Sequence, residues 1–178
     1  MAKMKLKTKA TWVIGLIGVS VMSLSFFGFA TVHTEIIIPV PPDVVWSVLT
    51  DTSGYKEWNP VLIPVEGEGE MRGGRKLKYR MIQPNGNESI VGAKVVNMVN
   101  QQLLNQYGGI PGVLTFDHKW LLDPVDGGTR VVQHEDYRGI GVWFWDYSWV
   151  EPAYAQANEA LKNRALQIIM EERGDKKS

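Results

Sequence analysis

The chain has 178 residues, 44% of them hydrophobic and 21% charged, with 19 Lys and Arg against 19 Asp and Glu. This balance excludes a disordered or collagen-like chain and suits one ordinary globular domain. The absence of cysteine excludes disulfide staples, cysteine nucleophiles and thiolate metal sites.

The neutral total conceals an asymmetry. Lys3, Lys5, Lys7 and Lys9 are the only charged residues up to Val32, which leaves 15 basic against 19 acidic residues beyond it. Nucleic acid is therefore not an expected partner, because phosphate binding needs clustered positive charge. From Ala10 to Val32 no residue is charged. At 1.5 Å per residue such a run spans a hydrocarbon core of roughly 30 Å. The lysines ahead of it stay on the cytoplasmic side. The predicted organisation is a signal anchor or single transmembrane helix within residues 1–32, followed by a domain over 33–178 facing outward, on the periplasmic or extracellular side. A cleavable signal peptide competes, because Gly28-Phe29-Ala30 has the small-x-small form of a cleavage site; cleavage would leave a secreted or periplasmic protein. A buried core helix explains the segment least well, since a polybasic head has no packing role there.

Beyond residue 33, period-two alternation punctuated by Gly, Pro and Asn predicts strands. The first lies near 34–40. Pro41-Pro42-Asp43 then opens a helix whose apolar face carries Val44, Val45, Trp46, Val48 and Leu49 and which stops near Asp51-Thr52-Ser53-Gly54. Strands follow near 61–70, 75–83, 89–99, 102–108, 113–123 and 129–140. The turns between them include Met71-Arg72-Gly73-Gly74, Pro84-Asn85-Gly86-Asn87 and Val125-Asp126-Gly127-Gly128, so consecutive strands should pair antiparallel. A long last helix begins at Ser148-Trp149-Val150-Glu151, which has capping-box spacing, and stops at Gly174. Its stripe of Tyr154, Ala157, Leu161, Ala165 and Ile168 is narrow and rich in small residues. Such a helix can lie close against a concave sheet, which makes the domain α+β, a sheet wrapped around a C-terminal helix.

These residues also carry a resemblance. The string from Ile38 through Asp51, followed by Tyr55-Lys56-Glu57-Trp58-Asn59-Pro60, resembles the opening of the SRPBCC superfamily, the START-like or polyketide cyclase/dehydrase and lipid-transport group. Gly127 to Glu135 and Ala157 to Lys162 fit as well, and the match extends from about residue 33 to 173. The resemblance implies the helix-grip fold, a seven-stranded antiparallel sheet gripping a C-terminal helix, with a cavity for apolar molecules between the two. It implies no shared catalytic motif, and the N-terminal anchor is a departure from the family.

Parity along the strands selects the inward positions. These are Leu77, Tyr79 and Met81, then Val91, Ala93 and Val95, then Phe116, His118, Trp120 and Leu122. Together with Gln133, Tyr154, Ala157 and Leu161 they are the expected ligand-binding residues, although each is equally an ordinary core residue. If Pro124 pairs with Thr129, then His118 faces Glu135, Trp120 faces Gln133 and Leu122 faces Val131. A carboxylate beside an imidazole raises its pKa and can orient it as a base. His118 and Glu135, with Tyr79 as hydrogen-bond donor, are thus the catalytic candidates, against the alternative of a satisfied structural pair. His134 should face outward and His33 should lie at the membrane boundary. Three scattered His without Cys suggest no metal, and without a phosphate loop or nucleophile elbow no cofactor is expected. Gly108-Gly109-Ile110-Pro111-Gly112 reads as a flexible loop at the cavity mouth. Trp143, Phe144, Trp145, Tyr147 and Trp149 form an aromatic cluster that either packs in the core or meets ligand or lipid. Glu66, Glu68 and Glu70 read as a solvated strand face. The expected function is a membrane-anchored binding module for an apolar small molecule or lipid. A cyclase/dehydratase-type enzyme using His118 and Glu135 as acid/base is the alternative, and a scaffold domain with a filled core is a third.

Overall fold

A computed structural model describes residues 12–20, 23 and 28–175. The alternating runs form β1 (Phe29–Ile38), β2 (Leu62–Glu66), β3 (Lys76–Ile82), β4 (Glu88–Val99), β5 (Leu103–Ile110), β6 (Leu114–Val125) and β7 (Gly128–Arg138). Residues 12–20 are helical (α1), followed in the chain by α2 (Pro42–Thr50), the single turn α3 (Tyr55–Trp58) and the long α4 (Val150–Asp175). The strands make one seven-stranded antiparallel sheet in the order β1-β7-β6-β5-β4-β3-β2. Short connections account for the run from β2 to β7, since hairpins join neighbours. α2 and α3 carry the chain from one sheet edge, β1, to the other, β2.

The β6–β7 hairpin turns at Asp126-Gly127 and has the expected register, with Pro124 opposite Thr129 and His118 opposite Glu135. Gly127 sits at φ +84°, which explains the glycine there.

Several expectations need correction. β1 starts at Phe29, because the alternation of buried Ala30 and Val32 with exposed Phe29 and Thr31 continues the strand back into the uncharged run. Phe29 to Val32 pair with Arg138 to Glu135 of β7, so the domain begins before residue 33. Of the anchor expected over 10–32, residues 10–11, 21–22 and 24–27 lie outside the described residues, and among the described residues no helix is long and apolar enough to cross a membrane. His33 lies mid-strand in β1 and stacks edge-on against His134, 6.0 Å between ring centroids. The strand expected over 61–70 ends at Glu66. Gly67 and Gly69 take positive φ and turn the backbone around Arg75, whose guanidinium donates to the carbonyls of Gly67, Glu68 and Glu70. The Gly108–Gly112 segment is no loose loop. β5 continues through Ile110, and the turn into β6 is closed by Val113 N–H donating to the Ile110 carbonyl at 3.0 Å. Gly108 is required there because an added Cβ would stand 2.1 Å from the Gly92 carbonyl oxygen and 2.5 Å from Cζ of Phe116. At the start of α4 the Ser148 N–H donates to Asp146 Oδ1 at 3.0 Å, an Asx turn that ends on the first residue of the expected capping box. α4 also runs through Gly174 to Asp175.

α4 lies in the concave face of the sheet and buries Val150, Ala153, Tyr154, Ala157, Asn158, Leu161 and Ala165, with Ile168 only half-buried. Toward its C-terminal half, Leu161 and Ala165 pack with Val45, Val48 and Leu49 of α2 against Leu77, Val95, Leu104, Trp120, Leu122 and Val131 of the sheet. Here α2 plugs one end of the grip. At the other end, sheet and helix stand apart.

Candidate functional site

The gap is a cavity of about 580 Å³ at the N-terminal end of α4, a size suited to a small-molecule ligand. Apolar groups dominate its wall: Leu62 and Met81, Val91 and Ala93, Leu114 and Phe116, then Trp145 and Trp149. Three of its polar side chains form a row across three strands. Gln106 of β5 pairs with His118 of β6, which pairs with Glu135 of β7. Period two turns all three side chains inward together, and all three are buried.

Each member of this row has its own partner. The Gln106 amide donates to the Tyr79 hydroxyl at 2.8 Å. Burial pushes the Tyr79 phenol up to about 12, and the Gln106 hydrogen bond pulls the other way. The Glu135 Oε2 accepts from both the Tyr137 and Tyr154 hydroxyls. Burial is the main cause that raises the carboxyl to about 7, with the two tyrosine hydrogen bonds opposing it. Both tyrosines are raised, first by burial and then by the adjacent carboxylate. Near neutral pH, Glu135 is therefore poised between acid and carboxylate.

His118 does not turn to its cross-strand neighbour Glu135. Its Nε2 lies 3.2 Å from Oε1 of Gln133, one residue pair further along the hairpin. The proton's position follows from the neighbours. The Gln133 amide nitrogen donates to the Tyr154 carbonyl at 3.2 Å and to Oδ1 of Asn158 at 2.7 Å. A backbone carbonyl only accepts, so the Gln133 oxygen faces the imidazole, which must carry its proton on Nε2 and leave Nδ1 as the lone-pair nitrogen. Asn158 continues the chain by donating to Thr34 Oγ1 at 3.1 Å, tying α4 to β1. Burial depresses the His118 pKa from 6.5 to about 4, with the Gln133 hydrogen bond opposing. The expected imidazole–carboxylate contact, with its raised pKa, is thus replaced by a neutral imidazole in a chain of amides. Register brings His118 and Glu135 side by side; side-chain competition decides which partner each takes.

Of the expected ligand-binding residues, Tyr79, Met81, Val91, Ala93, Phe116, His118 and Tyr154 line the cavity, and Glu135 joins them. Leu77, Val95, Trp120, Leu122 and Leu161 pack instead in the filled half against α2. Ala157 packs beside Val61, and Gln133 is consumed by the amide chain. Gln106 and Tyr137, which the sequence did not single out, also line the cavity, as do Trp145 and Trp149 of the aromatic cluster expected either to pack in the core or to meet ligand or lipid. Gln106 and Tyr137 share the inward parity of His118 and Glu135 and were legible from the hairpin registers. Trp145 and Trp149 depend on the path of the β7–α4 loop, which has no period. Among the described residues no group of three His, Asp or Glu is placed to hold a metal ion.

The family model described as polyketide cyclase / dehydrase and lipid transport matches residues 30–166. Among solved structures, the Zhui aromatase/cyclase from Streptomyces sp. R1128 is similar at 15% identity, over 79% of this chain and 96% of that one, with a TM-score of 0.64. Ara h 8.0201 is similar at 19% identity, over 79% of this chain and 99% of that one, with a TM-score of 0.60. The di-domain ARO/CYC BexL of the BE-7585A biosynthetic pathway matches at 10% identity, over 78% of this chain and 50% of that one, with a TM-score of 0.63. At these identities the likeness is one of fold. Among curated proteins none matches the sequence.

Proposed function

Since the chain belongs to the polyketide cyclase / dehydrase and lipid transport family, we propose that it is a binding module for an apolar small molecule or lipid held between the sheet and α4. One observation carries this reading: the cavity is apolar along most of its wall, with a buried polar row of Gln106, His118 and Glu135 at its floor and the hydroxyls of Tyr79, Tyr137 and Tyr154 beside it. That division suits a ligand with an extended apolar body and one hydroxyl or carbonyl group turned toward the row. Native mass spectrometry and solvent extraction of the purified chain should yield a co-purifying apolar molecule. Val91→Trp, at a half-buried position on the cavity wall, should cost at least roughly tenfold in affinity for a fluorescent apolar probe while the fold persists. A chain that carries nothing and binds no such probe would refute the proposal.

The cyclase/dehydratase-type reading is favoured by one feature, a cavity carboxyl raised to about 7, since a general acid/base works best near ambient pH. Its acid/base would be Glu135 rather than a His118–Glu135 pair. The two readings separate at Glu135→Gln, which keeps the size of the side chain and a polar tip in the row and should abolish turnover only under the second.

The chain is further proposed to be held at a membrane by the part of its uncharged run that precedes β1, from Ala10 to Gly28. Lys3 to Lys9 would be cytoplasmic and the domain outward, with signal cleavage and release as the alternative. Membrane fractionation with N-terminal sequencing tests this. A soluble mature form beginning near Thr31 would sink the anchor.

A further inference from the structure

The cavity mouth runs into an exposed apolar surface that ligand binding alone does not explain. Three chain segments are stitched together there. Gly139 N–H donates to the Gly28 carbonyl at 3.0 Å, Ile140 N–H to Gly112 at 3.1 Å and Gly141 N–H to Val113 at 2.7 Å. Glycine permits this closeness, because a Cβ on Gly139 would stand 2.5 Å from the Val113 carbonyl oxygen. On this platform Trp143 is 60% exposed and Phe144 83%, and Phe29, Ile110 and Val113 are exposed as well. The Arg138 guanidinium lies 4.8 Å above the Phe29 ring. Ile110 and Val113 also line the cavity, so the patch adjoins an exposed part of the cavity wall.

Exposed apolar surface rimmed in this way marks an interaction site. What meets it follows from chain continuity. Gly28, hydrogen-bonded into the platform, is the residue at which the uncharged run that begins at Ala10 behind four lysines passes into β1. In the sequence β1 follows Gly28 directly. A bilayer holding that run would face this end of the domain. The opposite end, the Asp126-Gly127 turn, lies the length of twelve-residue β6 away, roughly 40 Å at about 3.4 Å per residue. Tryptophan and an arginine beside an aromatic ring suit the headgroup region, where apolar bodies and polar tips are both satisfied.

We propose that Phe29, Ile110, Val113, Trp143 and Phe144 form a docking face that sits in the headgroup region of a phospholipid bilayer, so that the cavity opens toward lipid and its ligand enters from the membrane. This rests on the binding reading of the cavity and on the anchoring of the uncharged run.

Because the chain has no cysteine, Phe144→Cys and Asp126→Cys each give a single site for a nitroxide label on the full-length chain. The labelled proteins are reconstituted in phosphatidylcholine/phosphatidylglycerol vesicles. The label at 144 should be more accessible to oxygen than to an aqueous nickel chelate, with the order reversed at 126. Equal aqueous exposure at the two sites would overturn the proposal. So would dipolar coupling between labels at 144 of two molecules, since a second copy would then cover the face. Phe144→Asp should slow uptake of a fluorescent apolar probe from vesicles on the order of tenfold, with its equilibrium affinity in solution unchanged. An unchanged uptake rate would count against entry from the membrane. Failure of the unsubstituted chain to bind the probe at all would overturn the entry route and the cavity reading together, while the label depths would still decide the docking face.

Discussion

Replacing Glu135 by Gln should turn a nearly flat pH–stability profile into one that climbs by about 3 kcal/mol between pH 4 and 6.5. Burial pushes the His118 imidazole down from 6.5 to about 4 and the Glu135 carboxyl up from 4.5 to about 7. Between pH 4 and 6.5 the unfolded chain binds more protons at His118 than the native chain does, so that group makes stability rise with pH. Between pH 4.5 and 7 the unfolded chain binds fewer protons at Glu135, so that group makes stability fall. Either displacement is equivalent to about 3 kcal/mol, at roughly 1.4 kcal/mol per tenfold change in proton affinity. In the unsubstituted protein the two slopes oppose each other from pH 4.5 to 6.5 and nearly cancel. Glu135→Gln removes the falling limb; stability should then reach a plateau above pH 6.5. His118→Gln removes the rising limb, and stability should fall by about 3 kcal/mol between pH 4.5 and 7. Urea midpoints measured from pH 4 to 8 distinguish the three profiles. A flat curve for both variants would mean that neither group is held in its neutral form by burial.

Gln133→Leu is expected to destabilise the fold by about 3–5 kcal/mol, more than its small change in volume suggests. Gln133 is 1% exposed and joins His118 to Asn158 and to the Tyr154 carbonyl. Leucine would leave Nε2–H of His118 and Oδ1 of Asn158 buried without their partner, each at roughly 1–3 kcal/mol. The loss should fall on the attachment of α4 to the sheet, because Asn158 also reaches Thr34 of β1. Adding Asn158→Leu removes one orphaned group and should restore part of the stability, giving a coupling energy of about 1–2 kcal/mol in a double-mutant cycle. Additive single effects would show that the amide chain does not act as a unit. Val131, on the same strand and equally buried, offers a contrast. Val131→Ala removes only apolar contacts and should show no coupling to Asn158.

Both predictions turn on side chains whose inward direction is readable from sequence but whose partners are not. Alternation with period two identified the strands, and the Asp126-Gly127 turn set the register that lines up His118 with Glu135, because a two-residue hairpin leaves no freedom in pairing. The small-residue stripe of Ala157, Leu161 and Ala165 marked the helix face that the sheet grips. Local chemistry suffices for these, since each depends on residues within one hairpin or one helix. The limits of β1 and β2 escaped because they depend on other parts of the chain: Phe29 is a strand residue only through β7, and the backbone at Gly67 and Gly69 turns around Arg75. The cavity's position escaped for the same reason. Parity says that Leu77, Trp120 and Tyr79 all face inward, but only the seating of α2 decides which inward positions are packed and which line open space. Nor could strand pairing say that His118 turns to Gln133 while Glu135 takes two tyrosines. Tyr154 and Asn158 come from α4, and a buried polar group takes its partner from whatever the whole fold brings within hydrogen-bonding distance.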